Sequence, residues 1–541
     1  MLRVAALLLL HAICIQCIDL VVQTRLGEVR GVRSEEGEYA MFMGVPFGLV
    51  DEENPFGAPH PHPGYTEPIL AYNDTTICPQ VQRGVVTGTL QCLVLNIYVP
   101  DTTDVTSLPV MVWVHGGAWV GGSGNRIVSN PNFLVSHGVI VVTVNYRVGM
   151  YGYMCTDSPK APGNTGLRDQ LLAFRWIRDH IDSFGGDPDK VTAFGESAGG
   201  MAVHLHVLSH HEKLFERAII QSGSSSSPWT LVEQNNDVPI KVAEALGFDT
   251  NDLDAAIDFL SKSNVDDVVA AAAELRFATA QNNNQPVTKA CVEREFEGIE
   301  RFVSVHSNVA HSYKVKDIDI MIGYTSEEMI FQYGNRPAEF FDTYSFIDLL
   351  EFGFNVTDME DMAALIRRFY IGDQVTSHDL EQEITHFASD LVWNHPTERA
   401  IKLLLEDNAR VIYQFLFSYE GGRNFLKANI NTTVPGAAHA DELGYIFDVS
   451  AFRGQEDTPE DQRVVDQMTT MWTNFVKYGN PTPEVTELLP VKWEPVTESS
   501  QWYIDIDSEL TIGKRPFHDR MAFWDLFYEA NRDKAKGFSA N

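Results

Sequence analysis

The chain has 541 residues, of which 44% are hydrophobic, and this is enough to bury a large core. Its formal net charge of −34 is spread along the sequence, as on a well-solvated surface. This charge argues against a nucleic-acid partner, because a phosphate backbone needs clusters of Lys and Arg. No linker divides the chain, so we expect a single domain over residues 18–541.

The N-terminal segment 1–17 is typical of a secretory signal peptide. Arg3 precedes an apolar run at 4–10, which is shorter than the ~20 residues that span a bilayer. We place the cleavage site near Cys17. No second apolar segment of spanning length follows, and the C-terminal residues carry no lipid-anchor or retention signal. We therefore predict a secreted protein without a membrane anchor.

The pattern of apolar residues predicts strands that alternate with helices. A small hairpin at 20–31 and an irregular Pro-rich loop at 55–68 come first. Apolar, β-branched runs then predict buried strands at 93–99, 109–114, 139–145, 191–194, 217–223, 318–323 and 410–417. Helices are predicted at 166–183 and 461–478, and the Ala-rich segment 240–276 is predicted to form a helical cap. This alternation indicates an α/β protein whose mainly parallel sheet is covered by helices on both faces.

The stretch around Ser197 carries the clearest chemical signal. Gly195-Glu196-Ser197-Ala198-Gly199 is a G-x-S-x-G pattern that follows a buried strand and precedes a helix. The two glycines remove Cβ atoms where strand and helix crowd the turn, and Ser197 can then hold its Oγ exposed at the end of the sheet. The positive N-terminus of the following helix points to the place where an oxyanion would form.

A serine nucleophile also needs a base, a group that orients the base, and donors for the oxyanion. In this type of fold the chain order is serine, acid, histidine. Glu328, with Glu327 beside it as a rival acid, follows one late strand, and His439 follows the next. Backbone N–H groups from the loop after Val114 and from Ala198 are the candidate oxyanion donors.

Five blocks of sequence follow one another in order, at 115–119, 145–149, 163–170, 184–188 and 195–199. Together they resemble the type-B carboxylesterase family, which includes the cholinesterases. The resemblance covers nearly the whole mature chain and implies an α/β-hydrolase fold with helical cap insertions. It implies Ser197 as nucleophile and His439 as general base, and it favours Glu328 as the acid, five positions after the strand-end glycine. The oxyanion positions of the family fall on Gly117, Ala118 and Ala198.

The same resemblance implies two structural pairs. These are a disulfide, Cys78–Cys92, and a buried salt bridge, Arg147–Asp169. The residues alone leave open whether Cys155 and Cys291 pair or stay as buried thiols. Candidate glycosylation triplets of a secreted protein stand at Asn73, Asn355 and Asn431.

The chain departs from the family pattern in ways that bear on its substrate. Ala118 stands where the family usually has a third glycine, so its methyl group narrows the site or restricts φ. The loop between Cys78 and Cys92 lacks the tryptophan that stacks on choline in cholinesterases, which argues against that activity. Glu196 replaces the glutamine common in juvenile-hormone esterases and argues against that substrate. The 54–57 region resembles antennal and general esterases of moths.

We therefore predict a serine esterase that hydrolyses small-molecule carboxylic esters through an acyl-enzyme, acting on acetate or other short-acyl esters such as odorants or xenobiotics. The alternatives are a juvenile-hormone-type esterase, an interfacial lipase and a catalytically silent, neuroligin-like adhesion protein. We predict no cofactor and no metal, because His204, His206, His210 and His211 have no paired carboxylates. Trp229 is either a wall of the acyl side or part of the core.

Overall fold

The apolar runs predicted as strands lie side by side in the centre of the molecule. The computed structural model describes residues 20–538 apart from 102–106, 280–287, 356–358, 431, 453 and 455. The predicted signal peptide, 1–17, lies outside these residues. Within the described chain, eleven strands form one large sheet, which confirms the predicted α/β class.

We number these strands β1 to β11 along the chain. They are Val32–Arg33, Tyr39–Pro46, Val94–Pro100, Leu108–Val114, Ile140–Val144, Gly186–Glu196, Arg217–Gln221, Asp319–Thr325, Val411–Phe417, Trp502–Ile506 and Leu510–Lys514. Their spatial order is β1-β2-β3-β5-β4-β6-β7-β8-β9-β10-β11. All neighbours between β5 and β10 pair in parallel. Antiparallel pairing is confined to the two edges, so the sheet is mainly parallel, as predicted.

Ten helices of nine or more residues surround the sheet in the described chain, and we number them α1 to α10. They are Thr165–His180, Ala198–Leu208, Asp237–Ala245, Leu253–Lys262, Val265–Thr279, Glu360–Tyr370, Glu381–Ser389, His395–Glu406, Pro459–Tyr478 and His518–Ala530. Shorter helices span Arg126–Ser129, Asn132–Val135, Gly149–Tyr153, Ile330–Tyr333, Ala338–Asp342, Ile347–Gly353 and Lys427–Ile430. Helices α1 and α9 confirm the two predicted helices, and α3 to α5 occupy the segment predicted as a cap.

Short strands form small sheets outside the main one. The pairs are Val21–Thr24 with Gly27–Arg30, Gly27–Arg30 with Ile69–Leu70, Gly48–Leu49 with His60–Pro61, Gln80–Gln82 with Val85–Thr87, and Leu231–Val232 with Ala290–Cys291. The first pair confirms the predicted hairpin at 20–31. His60–Pro61 places a short strand inside the 55–68 segment, which the sequence predicts as an irregular loop.

Successive side chains of β4 enter opposite layers, because a strand alternates its two faces. Val110, Val112 and Val114 pack in one core cluster with side chains of α1. Met111 and Trp113 pack in a second cluster with side chains of α9. A strand that is covered on both faces is apolar at every position, which explains the unbroken hydrophobic run in this part of the sequence.

Helices α3 to α5 form a further core cluster beside the sheet, together with Met150 and Met154. Val81 and Val86 pack against this cluster from the hairpin inside the Cys78–Cys92 loop. The helical insertion therefore supports the disulfide loop that, as described below, forms part of the rim of a cavity.

Two disulfides join the four cysteines that follow the predicted signal peptide. Cys78 bonds to Cys92, with 5.0 Å between the Cα atoms, as the family resemblance implies. Cys155 bonds to Cys291, with 6.5 Å between the Cα atoms, so the alternative of buried thiols is wrong. This second bond ties the segment after β5 to the segment before β8.

One buried ion pair fastens three distant segments of the chain. Arg147 Nη2 donates to Asp169 Oδ1 at 2.6 Å, and Arg147 Nε donates to Oδ2 at 2.8 Å. Arg147 Nη1 donates to the carbonyl oxygen of Pro55 at 2.8 Å, and both charged side chains are fully buried. The salt bridge implied by the family resemblance is therefore present. Its hydrogen bonds offset the cost of removing two charges from water.

Replacing Asp169 with Ala should destabilise the fold by roughly 3–5 kcal/mol, because the Arg147 charge would stay buried without its carboxylate. The urea midpoint of unfolding measures this loss. Asp258→Ala is the matched control, since Asp258 forms an exposed ion pair with Lys160 and should leave the midpoint unchanged. Equal midpoint shifts in the two variants would contradict the role given to the buried pair.

Candidate functional site

The turn between β6 and α2 places Ser197 at the carboxyl edge of the sheet. β6 ends at Glu196, α2 begins at Ala198, and Ser197 between them has φ 56° and ψ −127°. A Cβ on Gly195 would lie 2.5 Å from the backbone of Gly199. Close backbone packing therefore requires the glycine that the motif supplies. This turn leaves Ser197 partly exposed on the wall of a cavity.

Two of the predicted catalytic side chains are in direct contact. His439 Nδ1 lies 2.6 Å from Glu328 Oε2, and both side chains are buried. The backbone N–H of Thr325 donates to Glu328 Oε1 at 2.8 Å, so the carboxylate is held through both oxygens. Glu328 follows β8 and His439 follows β9, as the chain order predicts. The contact leaves the Nε2 atom of His439 for a second partner.

The Nε2 atom of His439 lies beside the carboxyl group of Glu196, the residue that precedes Ser197. His439 Nε2 is 3.2 Å from Glu196 Oε1, a distance of ion-pair range without hydrogen-bond geometry. Within the described residues no hydrogen bond joins Nε2 to Ser197 Oγ, although both residues line one cavity. Burial, and then the charge of Glu328, raises the pKa of Glu196 well above its usual value. Burial and the neighbouring negative charge therefore oppose the ionisation of Glu196.

The rival acid, Glu327, is directed away from His439. Its Oε1 atom lies 2.7 Å from Nε2 of His386, and burial raises the pKa of Glu327. Its backbone N–H donates to the carbonyl oxygen of Ala437 at 2.9 Å, which ties the turn after β8 to the loop that carries His439. The geometry therefore favours Glu328 over Glu327 as the group that orients the imidazole.

Three backbone N–H groups on the cavity wall find no acceptor among the described residues. Those of Gly117, Ala118 and Ala198 donate no hydrogen bond to any group in the described part of the chain. The loop after β4 passes close to the serine, since a Cβ on Gly116 would lie 3.0 Å from the Cβ of Ser197. Gly117 has φ 114° and Ala118 has φ 53°, so the alanine adopts a left-handed backbone. Free donors at this place are what an oxyanion hole requires.

A cavity of about 1120 Å³ opens in front of Ser197. One wall is aromatic, because the rings of Trp393 and Phe331 lie 4.4 and 5.3 Å from the ring of His439, between centroids. The Trp229 ring packs against the same two rings at 5.8 and 6.4 Å. Trp229 is therefore both a cavity wall and a member of a buried aromatic cluster. The hairpin inside the first disulfide loop forms part of the rim.

A buried carboxyl group that the sequence analysis does not single out lies behind the site. Gln221 Nε2 donates to Glu442 Oε1 at 2.8 Å, and Trp472 Nε1 donates to Gln221 Oε1 at 2.7 Å. Burial, and then the charges of Glu196 and Glu328, raises the pKa of Glu442 well above its usual value. Glu442 lies in the same loop as His439, the predicted base, and this closeness in sequence is the signal that could have identified Glu442.

The other predicted residues lie apart from this site. His204 and His206 are buried and hydrogen-bonded within the core. Across the described ranges, no group of three or more His, Cys, Asp or Glu side chains is arranged for a metal ion, and none of the helices has the length and hydropathy of a membrane span. Asn73 and Asn355 are exposed, whereas Asn431 lies outside the described residues.

Ala118→Gly should stabilise the fold by about 1 kcal/mol, because glycine adopts a left-handed φ without the Cβ clash that alanine meets there. The methyl group of Ala118 is exposed, so its removal costs little burial. Thermal unfolding measures the change. Ala256→Gly in α4 is a control of opposite sign, with an expected loss of at least about 1 kcal/mol, because the helix loses propensity and the fully buried methyl group loses its packing. A loss of stability in Ala118→Gly would show that the loop is not strained at this residue.

Glu442 should make the fold less stable as pH rises. A carboxyl whose pKa is raised on folding contributes fully at pH values below its ordinary pKa of 4.5, and this contribution is lost as pH rises toward the folded pKa. Glu442→Gln should therefore flatten the decline in unfolding free energy as pH rises above 4.5, measured by urea unfolding. Glu484→Gln, at an exposed position, is the control. An unchanged slope in Glu442→Gln would contradict the raised pKa.

Comparisons with known proteins point to one family. The pattern of the Carboxylesterase family matches residues 18–524. Esterase B1 of Culex pipiens is 30% identical over 94% of this chain and 98% of its own length. Bile salt-activated lipase of Homo sapiens is 30% identical over 94% of this chain and 70% of its own length. Esterase FE4 of Myzus persicae is 28% identical over 88% of this chain and 87% of its own length. The chain therefore belongs to the carboxylesterase family and is a carboxylic-ester hydrolase with the α/β-hydrolase fold.

Proposed function

We propose that this carboxylesterase works through a catalytic triad of Ser197, His439 and Glu328. The observation that carries the proposal is the 2.6 Å contact between His439 Nδ1 and Glu328 Oε2. This contact leaves Nε2 on the side of the ring where Ser197 and Glu196 line the cavity. An imidazole held in this tautomer can accept a proton at Nε2.

In the proposed reaction, Ser197 Oγ attacks the ester carbonyl carbon while its proton passes to His439 Nε2. The oxyanion of the tetrahedral intermediate accepts hydrogen bonds from the N–H groups of Gly117, Ala118 and Ala198, each worth roughly 3–4 kcal/mol. His439 then donates the proton to the departing alcohol. Water attacks the acyl-enzyme with His439 as its base, and the acid is released.

The reaction requires His439 Nε2 to exchange its contact with Glu196 for a hydrogen bond to Ser197. The raised pKa of Glu196 supports this exchange, because a carboxyl group whose ionisation is opposed holds the imidazole less strongly in an ion pair. Catalytic hydrogen bonds of unliganded enzymes commonly tighten only when substrate is bound. A rotation of the serine side chain, or a small movement of the ring, is the step that we assign to substrate binding.

We propose acetate and other short-acyl esters, such as odorants or xenobiotics, as the substrates. Trp393 and Phe331 pack against the His439 ring, and we infer that these two bulky rings limit the room for the acyl group. The whole cavity, at about 1120 Å³, exceeds the common range of ~300–1000 Å³ for ligand pockets. A narrow acyl side within a wide cavity favours a small acyl group joined to a larger alcohol.

Two alternatives receive less support. A silent adhesion protein has no need of a serine in a strained turn, free oxyanion donors and an oriented histidine, which this chain combines. A juvenile-hormone-type esterase fits less well, because Glu196 stands where glutamine is common in such enzymes. We further propose that the protein is secreted as a single domain. Its two disulfides are typical of an oxidising compartment, and the exposed Asn73 and Asn355 fit glycosylation.

Glu328→Gln should lower kcat on an aryl acetate by about 10³–10⁴-fold, because the amide no longer holds the required tautomer, and Ser197→Ala should lower kcat by at least as much. Glu327→Gln is the matched control one position away, also buried, and should keep kcat within about tenfold. Full activity in Ser197→Ala would reject the triad. Loss of activity in Glu327→Gln with full activity in Glu328→Gln would exchange the roles of the two acids.

A further inference from the structure

Gln80 is a buried polar side chain that the proposed triad does not use. It is 2% exposed and begins the hairpin inside the first disulfide loop, which forms part of the cavity rim. Its amide group contacts residues 115–124, the loop after β4 that carries the N–H groups of Gly117 and Ala118. We call residues 115–124 the oxyanion loop. Gln80 therefore joins the rim of the cavity to the loop of two proposed oxyanion donors.

The amide of Gln80 pairs with the backbone of Gly122 through two hydrogen bonds. Gly122 N–H donates to Gln80 Oε1 at 2.8 Å, and Gln80 Nε2 donates to the Gly122 carbonyl oxygen at 2.9 Å. Nε2 also donates to the Cys78 carbonyl oxygen at 3.0 Å, and Oε1 accepts from Gln82 Nε2 at 3.4 Å. Both donors and both acceptor positions of the amide are thus occupied, which holds the side chain in one orientation.

The two proposed donors of the oxyanion loop are oriented through the carbonyl groups of their own peptide planes. A trans peptide is planar, so its N–H points opposite to its C=O. The Gly117 carbonyl oxygen accepts from Gly121 N–H at 3.1 Å, and this sets the direction of the Ala118 N–H. The Gly116 carbonyl oxygen packs on Gly122, where a Cβ would lie 2.4 Å from it. This contact sets the direction of the Gly117 N–H.

The sheet supports the oxyanion loop at its far end. Gly124 N–H donates to Asn145 Oδ1 at 2.9 Å, and the Gly124 carbonyl oxygen accepts from Asn96 Nδ2 at 2.9 Å and Thr143 Oγ1 at 2.5 Å. These three side chains belong to β3 and β5 or directly follow β5. Gln80 supports the loop two residues earlier, beside the turn of the donors. Loss of Gln80 should therefore loosen the donors while the loop stays attached to the sheet.

Gln80 has a rigid base of its own. The disulfide Cys78–Cys92 lies two residues before it and closes the loop that contains the hairpin. Val81 and Val86 pack against the core cluster of α3 to α5. The position of the Gln80 amide is therefore determined by a covalent bond and by apolar packing, both independent of the main sheet.

We propose that Gln80 is a positioning residue for the oxyanion hole. This inference rests on the proposed function, which assigns the N–H groups of Gly117 and Ala118 to the oxyanion. Gln80 holds Gly122, and Gly122 and its neighbour hold the two peptides that carry these N–H groups. Donors fixed in this way stabilise the transition state more than the bound ester, whose carbonyl oxygen carries less charge. Gln80 therefore acts on kcat and not on KM.

Gln80→Met tests the proposal, because it keeps nearly the same length of side chain but removes both hydrogen bonds to Gly122. On an aryl acetate it should lower kcat about 10- to 100-fold, since donors displaced by about 1 Å lose much of their effect. KM should change less than about threefold. Active serines counted by stoichiometric reaction with an organophosphate normalise the rates for any unfolded protein.

Gln91→Met is the matched control within the same disulfide loop. The amide of Gln91 also pairs twice with a backbone, accepting from Val50 N–H at 3.1 Å and donating to the Val50 carbonyl oxygen at 2.9 Å. Neither of these two residues is among those that line the cavity in the described chain. Gln91→Met should therefore keep kcat within about threefold of the wild type.

Two inhibitors separate the transition state from the ground state. With a trifluoromethyl ketone, Ser197 Oγ adds to the carbonyl carbon, its proton passes to His439, and the resulting oxyanion occupies the hole. The corresponding secondary alcohol forms no adduct. In Gln80→Met the ketone should bind about 10- to 100-fold more weakly, and the alcohol should bind within about threefold of the wild type. Gln80→Glu, which keeps the acceptor for Gly122 N–H, should show the same difference if Gln80→Met does not fold.

The proposal is overturned if Gln80→Met keeps its kcat, raises KM alone, or weakens both inhibitors equally. It is also overturned if Gln91→Met loses as much activity, because the effect would then belong to the disulfide loop as a whole. The inhibitors distinguish this failure from that of the proposed function. If the wild type binds the ketone far more tightly than the alcohol and Ser197→Ala does not, the serine mechanism stands whatever the result at Gln80.

Discussion

The hydrogen bond between His439 and Glu328 depends on two loops that are held together by their backbones. Glu327 N–H donates to the Ala437 carbonyl oxygen at 2.9 Å, Ala437 N–H donates to Ser326 Oγ at 2.9 Å, and His439 N–H donates to the Glu328 carbonyl oxygen at 3.2 Å. The loops follow β8 and β9, which pair in parallel. Because parallel neighbours end at the same edge, residues 111 positions apart meet there. The sheet therefore determines where the His439 imidazole lies, and this position places the imidazole on the cavity wall.

The end of β6 and the loops after β8 and β9 bring three carboxyl groups close together, those of Glu196, Glu328 and Glu442. Like charges at close range in a site of low dielectric constant oppose one another's ionisation, and burial adds to this effect. The pKa values of Glu196 and Glu442 are accordingly raised. The raised pKa values weaken the competition of these two groups, as anions, with Glu328 for the imidazole, and among the described residues Glu328 is the hydrogen-bond partner of Nδ1. The acidic neighbourhood is thus compatible with a base that must accept and return one proton in each step.

The parts of the site that could be predicted from sequence have local causes. The serine turn needs glycines within five residues, and strands covered on both faces are apolar at every position. Strands β10 and β11, at one end of the sheet, are only partly buried, and the sequence does not predict them. Contacts between distant segments could not be read from the chain. The pairing of Cys155 with Cys291 stayed open, and neither the preference of Glu327 for His386 nor the pairing of Gln80 with Gly122 has a sequence signal.

The fold separates the groups proposed for the chemistry from the groups that shape the cavity. Ser197 and Glu328 stand on turns that directly follow β6 and β8, and His439 stands on a longer loop after β9 that backbone hydrogen bonds tie to the turn of Glu328. Trp229, by contrast, belongs to the insertion between β7 and β8, and other wall residues belong to the insertion between β8 and β9. Insertions have their own anchors, here a disulfide and a two-stranded parallel sheet. Substitutions on these walls can therefore change which ester fits without moving the serine, the imidazole or the sheet, which is why the choice of substrate has to be argued from the insertions and not from the family's shared motif.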